Sequence, residues 1–201
     1  SAASDVYKRQ TSPSSGSEHI LSHFFDFQHE IFNLPKNLHG TQVGVGTIIM
    51  SAAFEILREM NPTEFDLDEI ERRRLSQTAI NLDHRRVFGE RGKKFDLVVA
   101  EKRIRDIAFR DYISGIISDW QTIWSEVNPY LMSTTSLRQA MERAGAETKL
   151  SGINRSAEEA VQALLYGSHY RPRYSILDLL WELGLFPAIA PEILEHAGVL
   201  D

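Results

Sequence analysis

The sequence predicts an all-α protein, a bundle of helices around one core. Three observations carry this: apolar residues recur at three- and four-residue spacing from residue 17 onward, strand-like alternation is scarce, and capping residues and breakers stand at the ends of the periodic stretches. Ser17 is placed to cap a first helix through about Phe32, with Ile20, Phe24, Phe27 and Ile31 on one buried stripe. Asn33 to Asn37, containing Pro35, reads as a turn. A second helix runs from His39 or Gly40 to Met60, nearly all apolar in its first four turns, and stops at Asn61-Pro62 because a residue before proline is pushed out of the α region. Its composition makes it the central helix of the bundle. Asp66 or Asp68 opens a further helix, and Phe95 to Val127 reads as one long helical stretch closed by Asn128-Pro129. Three capping-box patterns follow, Ser136 with Gln139, Ser156 with Glu159 and Ser175 with Asp178. Gly145, Gly184 and Gly198 stand where C-terminal caps are expected, and Pro191 opens the last short helix.

Composition narrows the function. The chain has 201 residues, 42% hydrophobic and 25% charged, which suits a globular domain and argues against disorder. It has no cysteine, so disulfides and thiolate chemistry are excluded, any metal must sit on His, Asp or Glu, and a reducing cytoplasm is the expected compartment. A net charge of −6 argues against a nucleic-acid partner, which needs an excess of Lys and Arg to replace phosphate counterions. The runs Arg72-Arg73-Arg74 and Arg85-Arg86 follow acidic stretches and read as solvated helix faces. The uncharged stretch Gly40 to Phe54 is shorter than the ~20 apolar residues of a membrane span, so it is expected to be buried in the bundle. The Lys-Arg pair near the start has no apolar run behind it and is no secretory signal.

Residues Asp5 to Gln10, DVYKRQ, back-translate as GAT GTG TAT AAG AGA CAG, which resembles the end of a transposon-based sequencing adapter. Residues 1–10 are therefore expected to be an artefact, and 11–201 to form a single helical metal-binding domain whose upstream part is missing.

Four of the seven histidines, at 19, 23, 29 and 39, crowd the start of the chain. At ~100° per residue, His19, His23, Asp26 and Glu30 share a narrow sector of the first helix, with His29 about 80° away. That sector adjoins the Phe24/Phe27/Ile31 stripe, so the imidazoles are half-buried and need partners. His39 begins the second helix, and a turn with an extended segment can retrace the roughly 20 Å back towards the start of the first. Two histidines and a carboxylate with an open position make a catalytic arrangement. A pair of hydrogen-bonded core histidines with His39 as a cap is the competing reading. No third ligand can be identified from spacing; Asp26 and Glu30, farther along the helix than His19, suit supporting or solvated roles better.

The string Ser-Gly-Ser-Glu-His-Ile-Leu-Ser-His at 15–23, followed by Leu-His-Gly-Thr-Gln-Val-Gly-Val-Gly at 38–46, resembles the sn-glycerol-1-phosphate dehydrogenase family. That family belongs with iron-containing alcohol dehydrogenases, glycerol dehydrogenase and dehydroquinate synthase. The segment His169-Tyr-Arg-Pro-Arg-Tyr-Ser-Ile-Leu-Asp-Leu-Leu-Trp-Glu-Leu-Gly184 resembles its C-terminal signature, so the likeness runs from about Ser12 to Leu185. It implies the C-terminal helical domain of such a fold, with a Rossmann-like N-terminal half missing. His19 and His39 are then metal ligands, the third being an aspartate upstream of this chain. His23 is a non-ligating catalytic histidine that relays a proton, with a packed supporting histidine as the other reading. The implied reaction is reduction of dihydroxyacetone phosphate by NAD(P)H to sn-glycerol 1-phosphate, the cofactor held mainly by the missing half. Zinc heads the metals expected, with nickel and iron also suited. A small phosphorylated substrate and a homo-oligomeric parent are expected, and the chain alone is expected to be inactive. Gly40, Gly44 and Gly46 would let the second helix approach its neighbours. Arg171 and Arg173 are minor candidates for contacting phosphate. Other chemistries of the superfamily, and a non-catalytic helical interaction module, are the alternatives.

Overall fold

A computed structural model describes residues 16–201. The adapter-like residues 1–10 and the first residues of the resemblance, from Ser12, lie outside the described residues. Within them the protein is all-α, with no strand. The helices are α1 (Ser17–Phe32), α2 (His39–Glu59), α3 (Leu67–Arg73), α4 (Gln77–Phe88), α5 (Lys93–Lys102), α6 (Asp106–Ser118), α7 (Trp120–Val127), α8 (Thr134–Arg143), α9 (Ala157–Tyr166), α10 (Ile176–Glu182) and α11 (Ala190–Ala197).

The local chemistry at helix ends matches the sequence in most places. Asp66 caps α3 by accepting from the backbone N–H groups of Asp68 and Glu69. The boxes Ser156/Glu159 and Ser175/Asp178 are both formed. Gly145, Gly184 and Gly198 take positive φ after their helices, where a side chain is strained. Pro191 is the second residue of α11. Two expected caps are displaced. Ser17 is already helical, and Gly16 precedes it without a side-chain cap; the Glu18 carboxylate turns back to accept from the Gly16 N–H at 2.9 Å. The cap of α8 is Ser133, accepting from Ser136 N at 3.2 Å, so Ser136 lies inside the helix rather than at its start.

The stretch 95–127 is not continuous. It breaks after Lys102, where Arg103 is extended, and again at Asp119. The first break has a tertiary cause: Lys102 turns inward to Asp178 and to the Ser168 carbonyl, and the Arg74 guanidinium takes the Ile104 carbonyl that leaves the helical ladder.

α1 and α2 pack along each other as the central hairpin. α8 and α11 cover α2, and α9 covers both α1 and α11. By length and composition α2 as a whole is apolar enough to cross a membrane, because Glu55 and Arg58 do not interrupt it enough; the count that stopped at Phe54 was too short. Its Val45, Ile48, Ile49, Ala52, Ala53 and Leu57 are nevertheless buried in the bundle, as a core helix requires. The other end of α1 enters an aromatic cluster in which Phe27 and Phe88 lie 5.1 and 5.3 Å from Phe95 by ring centroids. The α1–α2 turn is held by residues far along the chain. Arg155, buried, donates to the carbonyls of Phe25 (3.0 Å), Pro35 (3.1 Å) and Asn154 (2.9 Å), and Asn37 donates to Ile153 O.

Candidate metal centre

The hairpin brings three of the four early histidines together. His19 and His23 stand one turn apart on α1, and His39 is the first residue of α2. Ring centroids are 5.5 Å apart for His19–His39, 5.1 Å for His23–His39 and 6.5 Å for His19–His23. The retracing turn thus delivers His39 to the middle of α1. One glycine makes the close approach possible: a Cβ on Gly46 would sit 3.0 Å from the Glu18 carbonyl oxygen, whereas one on Gly40 would meet nothing and one on Gly44 only the flexible end of Met141. His29 stays outside the cluster, bound to the Leu34 carbonyl in the turn.

Two of the three rings are oriented by a hydrogen-bond partner. His19 Nδ1 lies 2.8 Å from Glu18 Oε1. Burial pushes Glu18 upward, but the hydrogen bonds from His19 and from the Gly16 N–H outweigh it and hold the carboxyl below its usual range. An ionised Glu18 accepts a hydrogen bond from His19 Nδ1–H, which leaves Nε2 of His19 with its lone pair, the form a metal needs. His39 Nδ1 lies 2.9 Å from the buried Ser22 hydroxyl. With its nitrogen turned towards them, the buried Gln42 amide donates to Ser22 Oγ (2.9 Å), Ser22 O (3.2 Å) and Asp26 Oδ1 (3.1 Å). Ser22 Oγ can then accept from His39 Nδ1 while its own proton points to His39 O at 3.5 Å, again leaving Nε2 free. Burial, then the nearby charge of Arg171, keep His23 below the ordinary histidine range and hence neutral near pH 7. Arg171, weighed as a phosphate contact, therefore lies within electrostatic reach of the cluster.

Asp26 stands closer than its position along α1 implied. One ligand atom each of His23, Asp26 and His39 lie within 4.8 Å of one another, and Asp26 Oδ2 is 3.8 Å from His39 Nδ1. A tetrahedral ion with ligands at ~2.0–2.1 Å sets neighbouring donor atoms roughly 3.3 Å apart, so side-chain rotations alone would close the set. The i, i+3 spacing of His23 and Asp26 was the available signal. Glu30 is exposed and joins no part of the cluster. The donor set, three imidazoles beside a carboxylate and open to solvent, fits a divalent cation.

A second polar constellation went unseen in the sequence. His84 on α4 is fully buried, its Nδ1 2.9 Å from Asp96 Oδ1 and its Nε2 3.0 Å from His169 Nδ1. The hydrogen bond from Arg85 holds Asp96 below its usual range, and burial holds His169 well below its own. His169 Nδ1 and His84 Nε2 share one proton across their 3.0 Å contact, and the ionised Asp96 accepts from His84 Nδ1. The two histidines are 85 residues apart, so only tertiary structure pairs them.

A curated relative, glycerol-1-phosphate dehydrogenase [NAD(P)+] of Thermofilum pendens, is 25% identical to this chain over 187 residues, covering 93% of the chain. The chain spans 30% of that relative's length. No family model and no solved structure matches the chain.

Proposed function

We propose that this chain is the C-terminal helical part of a metal-dependent, NAD(P)-dependent oxidoreductase, with reduction of dihydroxyacetone phosphate to sn-glycerol 1-phosphate as its reaction. The observation that carries the reading is the convergence of His19, His23 and His39 at one hairpin, in a chain whose similarity to a glycerol-1-phosphate dehydrogenase extends over nearly its whole length. His19 and His39 are the ligands in this reading, with an aspartate from outside the chain completing the set. A divalent cation supplies, when bound, Lewis-acid stabilisation of negative charge developing on a substrate oxygen. His23, kept neutral, accepts or gives a proton at a ring nitrogen. Arg171 adds positive charge on the side from which a phosphorylated substrate approaches. The nicotinamide site lies outside the chain, and the intact parent assembles as a homo-oligomer.

The closeness of Asp26 favours a second ligand set, His23, Asp26 and His39. Asp26→Asn in the complete parent separates the two: metal content by elemental analysis stays unchanged if the third ligand comes from elsewhere, and falls if Asp26 is the ligand. The reaction itself is tested by NAD(P)H oxidation with dihydroxyacetone phosphate. The parent is expected to turn over and residues 1–201 alone are not; no turnover by a metal-loaded parent, or turnover by the chain alone, contradicts the proposal.

A further inference from the structure

A cavity of about 110 Å³ lies between α4, the end of α5, α6 and α10, and shares no residue with the histidine cluster. Its walls are apolar and aromatic, with Val99, Phe109 and Trp181 among them, and the Trp181 ring stacks on His169 with centroids 5.9 Å apart. Its inner polar groups are already matched. Lys102 pairs with Asp178 at 2.6 Å, Tyr166 donates to Asp83 at 2.6 Å and Tyr174 to Glu182 at 2.6 Å, while burial pushes the Glu182 carboxyl towards its neutral form.

The mouth is different. The side chains of Arg74 and Arg103 line both this cavity and a shallower pocket outside it, and they are only 14% and 19% exposed. Both lean on one carboxylate, Asp106, at 2.9 and 3.3 Å, and Asp106 is itself 81% exposed on the outer side. Arg74 is further engaged, over the Phe109 ring at 3.7 Å and with the Ile104 carbonyl. Arg103 has no hydrogen-bond partner other than Asp106 among the described residues. A guanidinium carries five N–H donors, and one bond to an exposed carboxylate leaves most of them open at the edge of the cavity. Glu71 and Glu182 also stand near Arg74, but Glu71 is taken by Arg110 at 2.6 Å and Glu182 accepts from Tyr174 at 2.6 Å, so the open donors at the mouth suit one small monoanion rather than a dianionic phosphate.

We propose that this cavity binds a small aromatic monocarboxylate, its carboxylate held by Arg103 and Arg74 and its ring enclosed by Val99, Phe109 and Trp181. The size agrees, since an engineered apolar cavity of about 150 Å³ takes a benzene ring, so a cavity near this volume with an open mouth accepts a single ring whose charged group protrudes. Bidentate guanidinium–carboxylate geometry supplies orientation, and the walls supply affinity.

The test is a calorimetric titration of the full chain with sodium benzoate and, separately, with benzyl alcohol, its neutral counterpart of similar shape. Benzoate is expected to bind one per chain at about millimolar concentration, and benzyl alcohol about tenfold or more weakly, because a charge-assisted pair is lost. Arg103→Gln should weaken benzoate by a similar factor while leaving benzyl alcohol unchanged, and Val99→Phe should abolish both by filling the space, each with helical circular dichroism retained. Absence of benzoate binding to the folded wild type overturns the proposal, as does equal affinity for benzoate and benzyl alcohol, a comparison that needs no variant to fold.

Discussion

Replacing Arg155 by methionine should destabilise the chain by about 3 kcal/mol and, from a distance, weaken metal binding at His39. The guanidinium is buried, bonds three carbonyls, and has no carboxylate within 4 Å among the described residues. Hydrogen bonds from a charged donor contribute ~1.5–3 kcal/mol each, while removing an ion from water costs several kcal/mol, so the gross gain is largely offset. Methionine keeps the packing and removes the desolvation cost, but it takes a donor from Phe25 O, Pro35 O and Asn154 O; Phe25 O keeps its helical bond within α1 while Pro35 and Asn154 are exposed, so each loss lies near the low end, about 1 kcal/mol. A net loss of about 3 kcal/mol follows, a large fraction of the ~5–15 kcal/mol that holds a domain together. It should appear in urea unfolding as a lower midpoint at unchanged slope. Because Pro35 lies in the turn that aims His39 and Phe25 lies in α1 between His23 and Asp26, zinc affinity should fall in the still-folded variant. A loss below about 1 kcal/mol with unchanged zinc affinity would refute the claim that Arg155 clamps the hairpin.

Three other outcomes follow from the same structure. Gly46→Ala should lose about 1 kcal/mol despite the better helix propensity of alanine, because its Cβ meets the Glu18 backbone, whereas Gly115→Ala, with nothing within 4 Å, should gain ~0.5–1 kcal/mol in thermal melts; equal effects would deny the close approach. His169 is held neutral when folded, so the unfolded chain binds its proton more readily; stability should be complete above the ordinary histidine range near pH 6.5 and decline as pH falls below it, by up to ~1.4 kcal/mol per pH unit for this group. His169→Gln should flatten that decline between pH 6.5 and 5, and an unaltered slope would remove His169 as its source. Tyr166→Phe, which deletes the bond to Asp83 and leaves the aromatic packing, should cost ~1–2 kcal/mol in chemical unfolding, with a neutral result placing that hydroxyl in water rather than on the carboxylate.

What the sequence made legible was local. Asp66, Ser156, Ser175 and three glycines act within a few residues of themselves, and the α1–α2 hairpin follows from periodicity with a short turn, so the meeting of His39 with the His19/His23 face could be anticipated. Contacts between distant segments could not. The Arg155 clamp joins positions 120 and 130 residues apart, and the break after Lys102 depends on Asp178, 76 residues away. The stretch 95–127 read as continuous because periodicity persists through Arg103-Ile104-Arg105 while the competing partners lie elsewhere in the chain. Asp26 lies two turns along α1 from His19, but the turn delivers His39 beside His23, one helical turn on from His19, and the carboxylate lies there.

His39 is a ligand in both candidate sets of the α1–α2 hairpin. Calorimetric titration of zinc into the full chain, wild type against His39→Ala, tests it most directly. One zinc should bind per chain, about tenfold or more weakly in His39→Ala with helical content intact. Equal stoichiometry and affinity in the two proteins would contradict it.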